Sequence, residues 1–146
     1  MGDRIFCDAS TLVKYYVNEA ESAAVRVRID EAEEVTLSEL ARIELMSVFH
    51  RYWREGLWTR EQFTQAALQS DRDDLRGVWT WLPVDRAIIN YSIHAYLQLP
   101  VDVALRASDC LHIATAIRSD HTEIYTHDLR QAKAAEALGL TAVRIS

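Results

Sequence analysis

The sequence predicts an α/β domain in three layers, with helices on both faces of a central, mainly parallel sheet of four to five strands. Short β-prone apolar runs at 4–8, 35–37, 78–82, 123–126 and 141–145 alternate with longer stretches of helical periodicity. Strands separated by helices need crossover connections, and these give a parallel sheet buried on both faces. The length of 146 residues, 49% of them apolar and 26% charged, suits one globular domain over residues 1–146 with a real core.

Each element has its own local signal. Arg4–Asp8 is a buried strand ending in a carboxylate. Ala9–Thr11 is a turn in which Ser10 or Thr11 can cap the apolar helix that follows (Leu12, Val13, Tyr15, Tyr16, Val17). A second helix runs from Ser22 to Ile29, and Asp30–Glu34 is a solvated acidic connection. Val35–Leu37 is a strand, and Ser38 is placed to cap a long amphipathic helix from Glu39 to Arg54. Leu40, Ile43, Met46, Ser47 and Tyr52 lie near one face of it, and Gly56 stops it.

Thr59 and Gln62 match a capping box, with Trp58 and Phe63 at the spacing of a hydrophobic staple. That helix runs into 71–75. Val78–Leu82 is a strand closed by Pro83, with Trp79 and Trp81 on one face. Asp85 caps a helix through Ile88, Ile89, Ser92, Ile93 and Tyr96. After the connection 101–105, Ser108 is placed to cap a helix with a Leu111, Ala114, Ile117 stripe and Asp109 in its first turn. Glu123–Thr126 is the fourth strand, Leu129–Leu138 a helix stopped by Gly139, and Thr141–Ile145 the last strand.

Composition narrows the function. The net charge of −6 argues against binding nucleic acid through a broad basic surface, but it suits a site where acids gather around divalent metal. Cys7 and Cys110 form neither a disulfide framework nor a zinc spacing and read as core thiols. No apolar run is long enough to cross a bilayer, and Met1–Arg4 leads straight into a strand without the apolar core of a signal peptide. A cytoplasmic protein is therefore expected.

Four acids carry the chemistry. Asp8 ends the first strand, Asp128 follows the fourth, Asp109 opens a helix, and Glu44 lies one turn past Leu40 in another. In an open α/β sheet, ligands bind outside the carboxyl ends of the strands, where strand order reverses. One edge can thus collect all four. Crowded carboxylates raise one another's pKa unless a cation is present. An all-oxygen donor set selects a hard ion, Mg²⁺ or Mn²⁺, which suits phosphodiester hydrolysis. The hydroxyls of Ser10 and Thr126 either orient such carboxylates or make ordinary caps.

These residues together resemble the PIN-domain ribonucleases, and within them the toxin half of VapBC toxin–antitoxin pairs. Phe6-Cys7-Asp8-Ala9-Ser10-Thr11-Leu12-Val13-Lys14-Tyr15-Tyr16 looks like the first motif and Ser38-Glu39-Leu40-Ala41-Arg42-Ile43-Glu44 like the second. Leu105-Arg106-Ala107-Ser108-Asp109-Cys110-Leu111-His112-Ile113-Ala114 is the most specific match, and Thr126-His127-Asp128-Leu129 looks like the last. The resemblance implies a Mg²⁺- or Mn²⁺-dependent endoribonuclease, homodimeric and inhibited by a VapB-type antitoxin. It implies metal-binding roles for Asp8, Glu44, Asp109 and Asp128. His127 is given no catalytic role. His112 is expected to pack or to lie beside the site, and Arg42 and Arg106 to be solvated at the surface rather than to contact phosphate.

Two rivals remain. An aspartyl-phosphate phosphatase would use Asp8 as nucleophile, but the haloacid-dehalogenase pattern wants a second Asp two residues on, where Ser10 stands. A non-catalytic module would keep the fold and work through protein contacts. Leu12, Val13, Tyr16, Val17, Val48 and Phe49 are more apolar residues than one small sheet needs, and some of them are expected to form a groove for an antitoxin segment that would also block the acid site.

Overall fold

The computed structural model describes residues 2–146. The elements run β1 (Arg4–Phe6), α1 (Ala9–Tyr16), α2 (Ser22–Glu31), β2 (Glu34–Ser38), α3 (Leu40–Arg54), α4 (Arg60–Leu75), β3 (Thr80–Leu82), α5 (Arg86–Gln98), α6 (Ala107–Arg118), β4 (Glu123–Tyr125), α7 (Leu129–Ala137) and β5 (Thr141–Val143). Every strand pairing is parallel. β1 pairs with β2 and β2 with β3, while β4 pairs with β5. The two ladders join at one bridge, Cys7 against Tyr125. Here the chain turns its donors both ways: Cys7 N–H donates to Thr36 O at 3.0 Å and Asp8 N–H to Tyr125 O at 3.1 Å. The strand order is therefore 3-2-1-4-5, and it reverses between β1 and β4.

Side-chain alternation splits the core in two. Ile5, Cys7, Val35 and Leu37 point to the face covered by α1 to α4, where Leu12, Val17, Val25, Leu45 and Phe49 are buried. Phe6 and Ile124 point to the other face, against Ile113 and Ala116 of α6, Ala134 and Ala135 of α7, and Leu140. Helices thus lie over both faces of the sheet. Among the described residues, no helix is long and apolar enough to cross a membrane.

Several local signals act as the sequence indicates. Thr59 and Gln62 make the reciprocal capping box, at 3.1 and 2.8 Å. Asp85 accepts from Ile88 N–H at 2.9 Å. Gly56 and Gly139 both have positive φ, 78° and 98°, which a side chain would disfavour. Trp79 and Trp81 do share a face. Trp79 is buried, and its indole donates to the Tyr16 hydroxyl at 2.9 Å.

Other expectations change. The helix after β1 starts earlier, at Ala9, and its cap is Asp8 rather than Ser10 or Thr11. The helix carrying Asp109 is capped by Arg106, so Ser108 lies inside its first turn. α3 buries Ala41, Leu45 and Phe49, whereas Ile43 is 69% exposed and Met46 also faces out. α6 is not striped, because it lies between the sheet and α5. Cys110, His112, Ile113, Ala114, Thr115 and Ala116 are all buried there. The expected hydrophobic staple is also replaced. Trp58 packs on Phe49 and Tyr52, and Phe63 stacks on Trp53 with centroids 5.4 Å apart, so both rings fasten α4 to α3.

Candidate active site

The reversal between β1 and β4 opens a cavity of about 480 Å³ at the carboxyl ends of those strands. Asp8, Glu44, Asp109 and Asp128 all line it, from four different elements. Five carboxylates face it in all, counting Glu19, together with the cations Lys14, Arg51, Arg106 and Arg144 and the imidazoles of His112 and His127.

Asp8 is the anchor. It is 4% exposed and follows β1 as the N-cap of α1, where its side chain accepts from Thr11 N–H at 3.2 Å. The Ser10 hydroxyl donates to Oδ1 and the Thr126 hydroxyl to Oδ2, each at 2.6 Å. Burial raises the Asp8 carboxyl above the ordinary carboxylate range. The bonds from Ser10, Thr126 and Thr11, with the charge of His112, pull the other way without cancelling it. Asp8 therefore favours the folded chain at acid pH, and that contribution is lost as pH rises through its elevated value. Ser10 and Thr126 thus orient a carboxylate. Ser10 Oγ also accepts from His127 N–H at 2.8 Å, and Thr126 Oγ1 accepts from Asp128 N–H at 3.1 Å, so these hydroxyls tie β1 to the turn after β4. Thr126→Val keeps the shape but leaves a buried carboxylate oxygen short of a donor. It is expected to lower stability by about 1–3 kcal/mol at neutral pH, read as a urea midpoint, with the loss shrinking in acid as Asp8 protonates.

The other three acids already have partners inside the chain. Glu44 Oε1 lies 2.5 Å from Nε2 of His112, a ring 1% exposed whose Nδ1 has no partner among the described residues. Burial alone would lower the His112 pKa. The bond and charge of Glu44, with Asp8 and Asp109 nearby, outweigh burial and raise it. Arg106 Nε donates to Asp109 Oδ2 at 3.0 Å, and its Nη2 lies 3.5 Å from Asp128 Oδ2. Asp128 also caps α7, accepting from Arg130 N–H at 2.9 Å and Gln131 N–H at 3.2 Å. Among the described residues, no three His, Cys, Asp or Glu side chains converge as a ready-made chelating set.

The donor chemistry nevertheless fits a hard divalent cation. The cavity offers oxygen ligands on several sides, and a guanidinium already stands between two of them as a cation. Neither thiol contributes. Burial pushes both Cys7 and Cys110 up, leaving them protonated and inert.

The rim changes one expectation, for Arg106. Arg106 is not merely solvated, since it pairs with two of the four acids. Arg42 lies elsewhere, bonded to Glu39 and Asp74 over the Trp81 ring. His127 braces the fold. Its Nδ1 is 3.0 Å from Thr11 Oγ1 and its Nε2 is 2.9 Å from Ile145 O. Of the six residues expected to form an apolar groove, Leu12, Val17 and Phe49 are core. Val13 and Val48 line the acid cavity, and Tyr16 bonds Asp73 at 2.7 Å.

Lys14 and Arg51 also line the cavity, apart from the four acids that the motifs single out. The spacing signal was there for Arg51, which lies seven residues after Glu44, two helical turns on and so on the same face. Lys14 is spent on Glu19 and Glu21, and Arg144 on Glu21. Among the described residues, Arg51 makes no ion pair within 4 Å, although its charge is felt by Glu19.

Comparison with known proteins agrees with this architecture. No curated protein matches the chain by sequence. Among solved structures, FitAcB from Neisseria gonorrhoeae superposes with a TM-score of 0.69 at 16% identity, covering 94% of this chain and 95% of that one. Mycobacterium tuberculosis VapC20, a sarcin–ricin loop cleaving toxin, gives 0.68 at 14% identity, covering 89% and 94%. A toxin–antitoxin complex from Klebsiella pneumoniae gives 0.61 at 16% identity, covering 95% of each. At such identities the likeness establishes the fold. The sequence pattern of the PIN domain matches residues 5–137, from the first strand to the end of α7 and through all four acids, and on that match the chain belongs to the PIN domain family.

Proposed function

We propose that this protein is a Mg²⁺- or Mn²⁺-dependent endoribonuclease, acting as the VapC-type toxin of a type II toxin–antitoxin pair. The observation that carries this reading is the lining of one cavity by Asp8, Glu44, Asp109 and Asp128 at the sheet's reversal point. Those four residues would hold the metal. When bound, it supplies an acidified water and a positive charge for the developing phosphate negative charge. The chain's own residues do the rest. Ser10 and Thr126 fix the Asp8 carboxylate, and His112 holds Glu44 toward the cavity.

Single-stranded RNA would enter over Val13 and Val48, with Arg51 offered to a phosphate flanking the scissile one. Arg51→Ala is expected to raise KM several-fold with little change in kcat. It should also flatten the salt dependence of RNA binding by about 0.7 in the log–log slope, the share of one phosphate contact. An unchanged slope would remove Arg51 from the RNA path.

The partners are proposals of the same kind. The Klebsiella toxin–antitoxin complex and the FitAcB likeness support a VapB-type antitoxin; such a partner would close the acid cavity. A homodimer would cover the exposed stripe Ile89, Ile93 and Leu97 on α5.

One observation favours a non-catalytic PIN module instead: three of the four acids already face a basic side chain of the same chain. Cleavage decides between the two. Purified protein incubated with single-stranded RNA is expected to cut with Mn²⁺ and to stop with EDTA. Absence of cutting on any RNA would leave the binding module.

A further inference from the structure

Arg106 stands at an unusual place. It is the N-cap of α6, with extended backbone and no capping bond from its side chain. The side chain instead reaches Asp109, three residues on in the same helix, and Asp128 at the cap of α7. Its planar fork can serve two carboxylates at once, which a lysine ammonium does less well. No other Lys, Arg or His lies within 4 Å of either acid among the described residues. The remaining cations of the cavity are spent elsewhere or free: Lys14 and Arg144 on Glu19 and Glu21, His112 on Glu44. The Arg106 side chain is 65% exposed, so it can swing into solvent at little cost.

We propose that Arg106 is a built-in counter-ion: it holds Asp109 and Asp128 together in the metal-free chain and competes with the divalent ion for them. The inference rests on the metal-dependent reading above and adds a residue that sets the metal requirement. Two facing carboxylates repel without a cation between them. Arg106 removes that repulsion before metal arrives, and by the same interaction it weakens metal binding. Loading the site means breaking both contacts of Arg106.

The test is a calorimetric Mn²⁺ titration without RNA on the wild-type chain, Arg106→Gln and Arg106→Lys, with melting curves in EDTA. Arg106→Gln is expected to bind Mn²⁺ roughly three- to tenfold more tightly, the release of two ion pairs whose arginine end is exposed while Asp109 is buried. In EDTA it should melt lower than wild type, with the difference closing as Mn²⁺ is added. Arg106→Lys, which keeps the charge but not the fork, should fall between. A merely structural arginine would give the opposite sign, since a loosened site binds metal more weakly. Equal or weaker Mn²⁺ binding by Arg106→Gln, with wild type still binding Mn²⁺ and cutting RNA, overturns the counter-ion role alone. Failure of every variant to bind Mn²⁺ overturns the metal-dependent reading with it.

Discussion

Asp8→Asn is expected to reduce Mn²⁺-dependent RNA cleavage by about three orders of magnitude, roughly 4 kcal/mol of transition-state stabilisation. The expectation follows from where Asp8 sits. It is buried at the reversal of the sheet, and Ser10, Thr126 and Thr11 N–H hold its carboxylate in place. Asparagine keeps the size and one carbonyl acceptor but gives up the charge that draws a cation. Its amide can donate to a hydroxyl that rotates to accept, so the fold survives. The neutral side chain also avoids the cost of burying a charge, which is what raises Asp8. Circular dichroism should therefore be unchanged while a fluorescent RNA substrate stays intact. Cleavage that persists in the variant belongs to a contaminating nuclease and would remove the support for this site.

Phe49→Ala should be the most damaging substitution for stability, about 3–5 kcal/mol out of a total that for a domain of this size is about 5–15 kcal/mol. Phe49 is fully buried on the inner face of α3. Its ring meets Tyr16 edge-on with centroids 5.8 Å apart and Trp58 at 5.5 Å, so it joins α1, α3 and the start of α4. The cavity left behind is flanked by rings that cannot collapse into it. A fall in the urea midpoint at unchanged slope would read the loss directly. α3 also carries Glu44 and Arg51, so the variant should lose activity on warming well before wild type does. A drop below 1 kcal/mol would mean that α3 is held mainly by other contacts.

The architecture was legible because its signals are local. Strand runs, helical spacing, Thr59 with Gln62, Asp85, and Gly56 with Gly139 are all read within a few residues. The inner face of α3 was not legible. Ile43 and Met46 compete with Ala41, Leu45 and Phe49 for the same helix, and only the sheet decides between them. α6 misled for another reason: a helix wedged between the sheet and α5 is buried on several sides, so no single stripe marks it. The four acids could be named because three lie beside a strand end or helix start and Glu44 lies one turn into α3, within motifs that resemble a known family. Of their internal partners, only Arg106 beside Asp109, three residues apart on one helix, follows a spacing rule. His112 meets Glu44 across 68 residues, and Arg106 meets Asp128 across two elements; no spacing rule encodes either contact.

Among the described residues, the two ladders of the sheet are bridged by one residue pair, Cys7 and Tyr125. Asp8 belongs to one half and Thr126 with Asp128 to the other, so the pocket straddles a seam in the backbone rather than resting on one continuous slab. Whatever grips acids from both halves at once, ion or protein, acts as a clasp across that joint, tightening the whole molecule and not only its own footing.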